Sequence, residues 1–115
     1  MAENLLRKVD VDWLLTIYGA MLTDKQQEIA TLYFEEDLSL AEIAQQEGVS
    51  RQSVHDTLQR VEKQLRTWED KLGMRARLTH VQSCLETALV DLDQDTAAAR
   101  KSIEKALSLL TDEED

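Results

Sequence analysis

The chain has 115 residues, 43% hydrophobic and 31% charged, with 13 Lys and Arg against 23 Asp and Glu for a net charge of −10. That length fits one domain around a single core, and the composition excludes a disordered chain, while one cysteine and no Cys/His cluster exclude a disulfide scaffold and a zinc finger. Only three Gly and no Pro leave few turns for joining strands, so an all-α fold is expected; no apolar run approaches the about 18 residues of a membrane span and no export signal is visible, which points to the cytoplasm.

Taken in chain order, Leu6, Val9, Trp13, Ile17 and Met21 recur at spacings of three and four and predict the buried face of an amphipathic first helix. "TDKQ" then opens a second helix, with Thr23 as N-cap and Gln26 completing a capping box, and Ile29, Leu32 and Tyr33 as its buried face. After the acidic link "EEDL", "SLAE" repeats the device with Ser39 and Glu42, opening a short third helix that Gly48 stops. Ser50 caps a fourth helix almost at once. Along it Val54, Leu58, Val61, Leu65, Trp68 and Leu72 alternate spacings of four and three up to Gly73, a heptad-like seam. From Arg51 to Leu72 that helix is roughly 33 Å long at about 1.5 Å per residue, more than a compact groove-reading unit requires. Its second half must pack on the first helix, on the C-terminal helices or on another subunit, so Leu65, Trp68 and Leu72 are candidate interface residues. Leu78, Val81, Leu85, Leu89 and Leu92 mark a fifth helix, and Ile103, Ala106, Leu107 and Leu110 a sixth. Asp93 in "DLDQD" is the candidate cap between them, and the tail "TDEED" reads as a solvated run of like charge. "DLDQD" lacks the glycine and distal glutamate of a calcium loop.

Between Leu40 and Val61 the pattern is that of a helix-turn-helix. Ala44 is small where two helices cross, Gly48 suits the left-handed backbone of a tight helix end, and Val54 locks the second helix onto the first. With Val54, Leu58 and Val61 inward, the outward face of the fourth helix carries Arg51, Gln52, Ser53, His55, Asp56, Gln59, Arg60 and Lys63, and Ser50 stands at its start. Arg can donate two hydrogen bonds to guanine, Gln can pair with adenine, and Ser or the helix N-terminus can hold a phosphate. Asp56 favours a merely solvated face. The candidate nucleic-acid-binding residues are therefore Ser50, Arg51, Gln52, Ser53, His55, Gln59, Arg60 and Lys63.

Charge is unevenly spread. Residues 1–50 hold 3 basic and 10 acidic side chains, residues 51–77 hold 7 and 4, and residues 78–115 hold 3 and 9. The positive charge is confined to the fourth helix and its extension, so autonomous binding to duplex DNA should be weak and salt-sensitive.

"LLTDKQQEIATLYFEEDLSLAEIAQQEGVSRQSVHDTLQRVEKQL" resembles the YlxM family of small bacterial helix-turn-helix proteins, itself similar to the promoter-reading fourth region of sigma factors. The resemblance runs from about Leu5 to Met74, carried by "LTDKQ", "DLSLAEIA" and "GVSRQ" followed by Val54. It implies a cytoplasmic regulatory or accessory protein whose gene commonly neighbours those of the signal recognition particle. It places the start of the recognition helix at Ser50, Arg51, Gln52 and Val54, and it brings no catalytic residue, metal or cofactor with it.

The expected organisation is a sigma region 4-like helix-turn-helix domain over residues 1–74, with a three- to four-helix core and a recognition helix at about 51–72. A C-terminal helical hairpin with an acidic tail follows over 75–115, packed as part of the same unit. No enzyme is expected: His55 and His80 are the only histidines, spacing in a helical bundle identifies no Ser-His-Asp set, no Gly-rich phosphate loop exists, and Cys84 beside Val81 and Leu85 reads as a small buried thiol. Two functions remain open. One is an accessory protein contacting the RNA or the GTPase of the signal recognition particle; the other is a regulator reading a DNA major groove as a homodimer.

Overall fold

The computed structural model describes residues 2–111, with side chains from Arg7 onward. The side chain of Leu6, expected on the first buried face, and the acidic run 112–115, expected to be solvated, lie outside the described residues. Among the described residues all regular structure is helical: α1 (Ala2–Tyr18), a 3₁₀ turn (Gly19–Met21), α2 (Asp24–Phe34), α3 (Leu40–Glu47), α4 (Arg51–Leu72), α5 (Met74–Asp91) and α6 (Thr96–Thr111). They form two compact units, Met1–Leu72 and Gly73–Asp115.

In the first unit the local signals act at the positions the sequence predicts. Thr23 Oγ1 accepts from the Gln26 N–H at 3.2 Å while the Gln26 side chain accepts from the Thr23 N–H, and Ser39 and Glu42 exchange the same pair of bonds. Each box satisfies two helix donors that have no partner inside the helix. Gly48 ends α3 with φ at +70°, its N–H and that of Val49 both bonding the Ala44 carbonyl. The left-handed residue turns the chain so sharply that α4 begins three residues later.

The seam of α4 is divided between two clusters. Val54 and Leu58 close over Ile43 and Ala44 of α3 and Ile29 and Leu32 of α2, which is the helix-turn-helix core. Val61 and Leu65 close over Val11, Leu14, Leu15 and Tyr18 of α1, together with Leu22 and Ala30. Full burial of each such side chain contributes about 1.5–3 kcal/mol, so α4 is the element on which both clusters depend. Coverage for the second half of the seam thus comes from α1. Leu65 is fully enclosed there and is unavailable to another subunit, Trp68 packs partly against the same cluster beside Tyr18 at 6.4 Å between ring centroids, and Leu72 is exposed.

α1 does not present the face its spacing predicts. Val9, Trp13 and Met21 are exposed, at 53%, 45% and 53%, and only Ile17 of the expected row packs, partly, against the core. Two apolar rows share this helix, and the broader one is buried. It presents residues 11, 14, 15 and 18 to α4, while ion pairs fix the rotation: Arg7 to Glu62 at 2.7 Å and Asp10 to Arg66 at 2.9 Å. Tyr18 Oη donates to Glu69 at 2.7 Å, closing the far end of the contact. On α2, Ile29 and Leu32 are buried as expected, whereas Tyr33 is half-buried.

The second unit is a helical hairpin. Small residues line its seam: Val81, Cys84 and Ala88 of α5 and Ala99 and Ala106 of α6 are buried. Cys84 is the buried thiol its neighbours suggested. Of the predicted faces only Val81 and Ala106 are enclosed, because small side chains let the two backbones approach and the larger Leu78, Leu85, Leu89, Leu92, Ile103, Leu107 and Leu110 remain outside. The cap between the helices is Asp95, which accepts from the Ala98 N–H at 3.1 Å, and not Asp93. Helix geometry explains the correction: α6 starts at Thr96, so only Asp95 stands at the N-cap.

Candidate nucleic-acid interface

α4 starts on a device distinct from those of α2 and α3. Ser50 Oγ accepts from the Ser53 N–H at 3.0 Å, and the Ser50 carbonyl accepts from the Val54 N–H at 3.1 Å. The first turns of α2 and α3 carry Asp24 and Glu42, which complement the positive end of each helix dipole, but the first turn of α4 has no acidic residue and begins with Arg51. The N-terminal end of α4 therefore keeps its attraction for an anion.

All eight predicted contact residues, Ser50, Arg51, Gln52, Ser53, His55, Gln59, Arg60 and Lys63, are exposed, while Val54, Leu58 and Val61 point into the core. The helix thus presents them together along one outer surface. Asp56 lies in the middle of that surface, where Gln52 Nε2 donates to its Oδ1 at 2.9 Å and His55 Nδ1 stands 3.6 Å away.

The cations differ by location. Across the rest of the first unit Arg7 pairs with Glu62, Lys8 with Asp37, Lys25 with Glu28 and Glu47, and Arg66 with Asp10 and Glu62. Among the described residues of this unit Arg51, Arg60, Lys63 and Lys71, all on α4, enter no ion pair. A cation held by a carboxylate has little charge left for a phosphate, so the usable positive charge of this unit lies on the outer surface of α4.

One flank of that surface meets a cavity of about 260 Å³, whose walls include Arg7 and Lys8 of α1, Tyr33 and Phe34 of α2, and His55, Gln59 and Glu62 of α4. Lys8 Nζ lies 4.3 Å from the Tyr33 ring centroid, a cation–π contact, and 3.2 Å from Asp37. Sequence reading left Arg7, Lys8 and Tyr33 out of the site, since nothing in the spacing of α1 tells which of its residues stands beside α4. The adjacent basic pair Arg7–Lys8 in an otherwise acidic half was the available signal.

The family model described as "Putative helix-turn-helix protein, YlxM / p13 like" matches residues 5–107. The chain belongs to this family, UPF0122. A UPF0122 protein of Desulforamulus reducens is 42% identical over 94 residues, covering 81% of this chain and 80% of the relative. One of Symbiobacterium thermophilum is 42% identical over 91 residues, at 78% and 85% coverage, and one of Clostridium botulinum is 34% identical over 94 residues, at 82% and 86%. The UPF0122 pattern extends well past Met74, where the resemblance read from the residues stopped, and takes in most of the hairpin. Among the described residues no helix is long and apolar enough to cross a membrane, and no group of three or more His, Cys, Asp or Glu side chains is placed to hold a metal ion.

Proposed function

We propose that this UPF0122 protein is a non-enzymatic, cytoplasmic nucleic-acid-binding accessory protein whose contact surface is the outer face of α4, and that its ligand is the RNA of the signal recognition particle. The observation that carries the binding surface is the contrast between Arg51, Arg60, Lys63 and Lys71 of α4, which enter no ion pair, and the paired Arg7, Lys8, Lys25 and Arg66 of the same unit. The resemblance to YlxM supports the pathway. Net charge supports an RNA ligand over bare duplex: the few unpaired cations of α4, in a body of net charge −10, supply little of the non-specific attraction on which duplex binding depends. A structured RNA offers splayed bases and 2′-hydroxyls to Gln52, His55 and Gln59 in addition to phosphates.

The test is fluorescence anisotropy with the labelled particle RNA and with a duplex DNA of equal length, each across a salt series. Wild type should bind the RNA more tightly. Arg51→Glu with Arg60→Glu should weaken binding and flatten the log–log salt slope by roughly 0.7–0.9 for each arginine that no longer meets a phosphate. Asp56→Asn, which removes the carboxylate from the middle of the face, should strengthen it. A folded double variant with unchanged affinity and slope would overturn the assignment of α4, and preference for the duplex would favour a major-groove regulator.

A further inference from the structure

The cavity beside the outer face of α4 has walls of contrasting chemistry. On the apolar side Phe34, Leu40 and Leu58 line it, and Tyr33 meets Phe34 edge to face with ring centroids 5.0 Å apart. On the polar side stand Arg7, His55, Gln59 and Glu62, which between them can donate and accept hydrogen bonds. An apolar hollow with a few convergent polar groups is the usual form of a small-ligand site. Its volume of about 260 Å³ lies just below the about 300–1,000 Å³ of sites that enclose a drug-sized molecule, so it admits one planar ring system and excludes a helix or a base-paired duplex.

The polar side is not spent within the chain. The Gln59 amide enters no hydrogen bond among the described residues, and Arg7 commits Nε and Nη2 to Glu62, leaving Nη1. His55 and Gln59 also belong to the outer face of α4, and His55 with Leu40 lines a shallow groove shared with Arg51 and Gln52. A polymer lying along that face therefore passes the mouth of the cavity.

We propose, on the reading that the outer face of α4 binds RNA, that the cavity holds one unpaired nucleobase of that RNA, turned out of its strand. Tyr33 and Phe34 supply aromatic surface on which any base can stack, and Gln59 with His55 meets the hydrogen-bonding edge. A base inside a duplex has its faces stacked and its edge paired, and cannot enter. Lys8 Nζ, itself a lining group, stands 4.3 Å from the Tyr33 ring centroid; the base takes its place on that ring, while Asp37, 3.2 Å away, keeps hold of the ammonium. A Leu or Phe side chain from a protein would fill the apolar side but leave the Gln59 amide covered and without a partner, which disfavours a protein anchor.

Tyr33 reports on the cavity as well as lining it. The chain has two tyrosines and Tyr18 is 1% exposed, so tetranitromethane nitrates Tyr33 selectively in the folded wild type. Saturating particle RNA should slow that nitration at least about five-fold, the scale on which a stacked base is held. A fully paired RNA duplex, saturating at low salt, and the four mononucleotides at the same nucleotide concentration should each leave the rate within about two-fold. By anisotropy Tyr33→Leu should bind the particle RNA at least about five-fold more weakly with its salt slope unchanged, because stacking releases no counterions, and Tyr33→Phe should bind within about two-fold of wild type. If Tyr33→Leu loses helical circular dichroism, the nitration of wild type decides. Nitration indifferent to bound particle RNA, or slowed as strongly by the duplex or by mononucleotides, overturns the base site; the assignment of α4 survives that result as long as Arg51→Glu with Arg60→Glu still weakens binding. Protection of Tyr33 by the particle's GTPase and not by its RNA overturns the base site in favour of a protein anchor. Wild type that binds no RNA at all overturns both.

Discussion

Glu62 is the residue through which α1 and α4 are charge-matched. Its carboxylate accepts from Arg7 Nε and Nη2 and from Arg66 Nε, at 2.7–3.1 Å. Burial pushes the Glu62 carboxyl up, but the hydrogen bonds and charges of Arg7 and Arg66 together outweigh it and hold the group below its ordinary value of 4.5. A carboxyl depressed in the folded state stabilises fully above that ordinary value and loses the contribution as pH falls through the depressed one. Thermal midpoints followed from neutrality to about pH 3 should therefore drop more steeply below pH 4.5 in wild type than in Glu62→Gln; parallel curves would show that the cluster adds no pH-dependent stability. Gly48 works through backbone alone. Its φ is +70° and nothing lies within 4 Å of a Cβ built there, so Gly48→Ala should cost about 1–2 kcal/mol from left-handed strain alone and Gly48→Asn less, read from denaturant midpoints.

At the scale of elements, α4 works by its two faces. Leu58→Ala should cost about 2–5 kcal/mol because it opens a cavity between three helices, whereas Arg60→Ala, on the outer face, should stay within about 0.5 kcal/mol in the same chemical denaturation. Equal losses would mean that the outer face is structural. The boundaries of α2, α3 and α4 were readable because capping boxes and the Gly48 stop act within a few residues of the chain. The rotation of α1 was not. Both of its apolar rows satisfy helical periodicity, and the choice depends on Glu62 and Arg66, which lie more than fifty residues away. The hairpin misled for a related reason: spacing identifies large apolar side chains, but close helix packing selected Cys84, Ala88 and Ala99 for its seam.

In the whole molecule two of the apolar surfaces, the α4 seam and the hairpin face, have different fates: one is enclosed and the other exposed. Leu65 is enclosed by α1, so Leu65→Ala should lower the stability of the first unit while leaving the sedimenting mass unchanged. A change of mass in Leu65→Ala would return the α4 seam to the subunit interface. The distribution of charge was legible from composition by segment, and with it the prediction that positive charge lies along α4. Which of those cations remain usable was not: Arg66 belongs to the same basic segment as Arg60 and Lys63, yet it is held by Asp10 and Glu62. By itself the sequence determined the helical class, the caps, the turn at Gly48 and the inward row Val54–Leu58–Val61, because propensity, capping and 3.6-residue periodicity are local properties of a chain. Only the tertiary structure decided which row of α1 is buried, which cations of the first unit are neutralised and which apolar face of the hairpin is left open, because burial and ion pairing are settled between residues far apart in sequence, by whichever surfaces come to lie against each other.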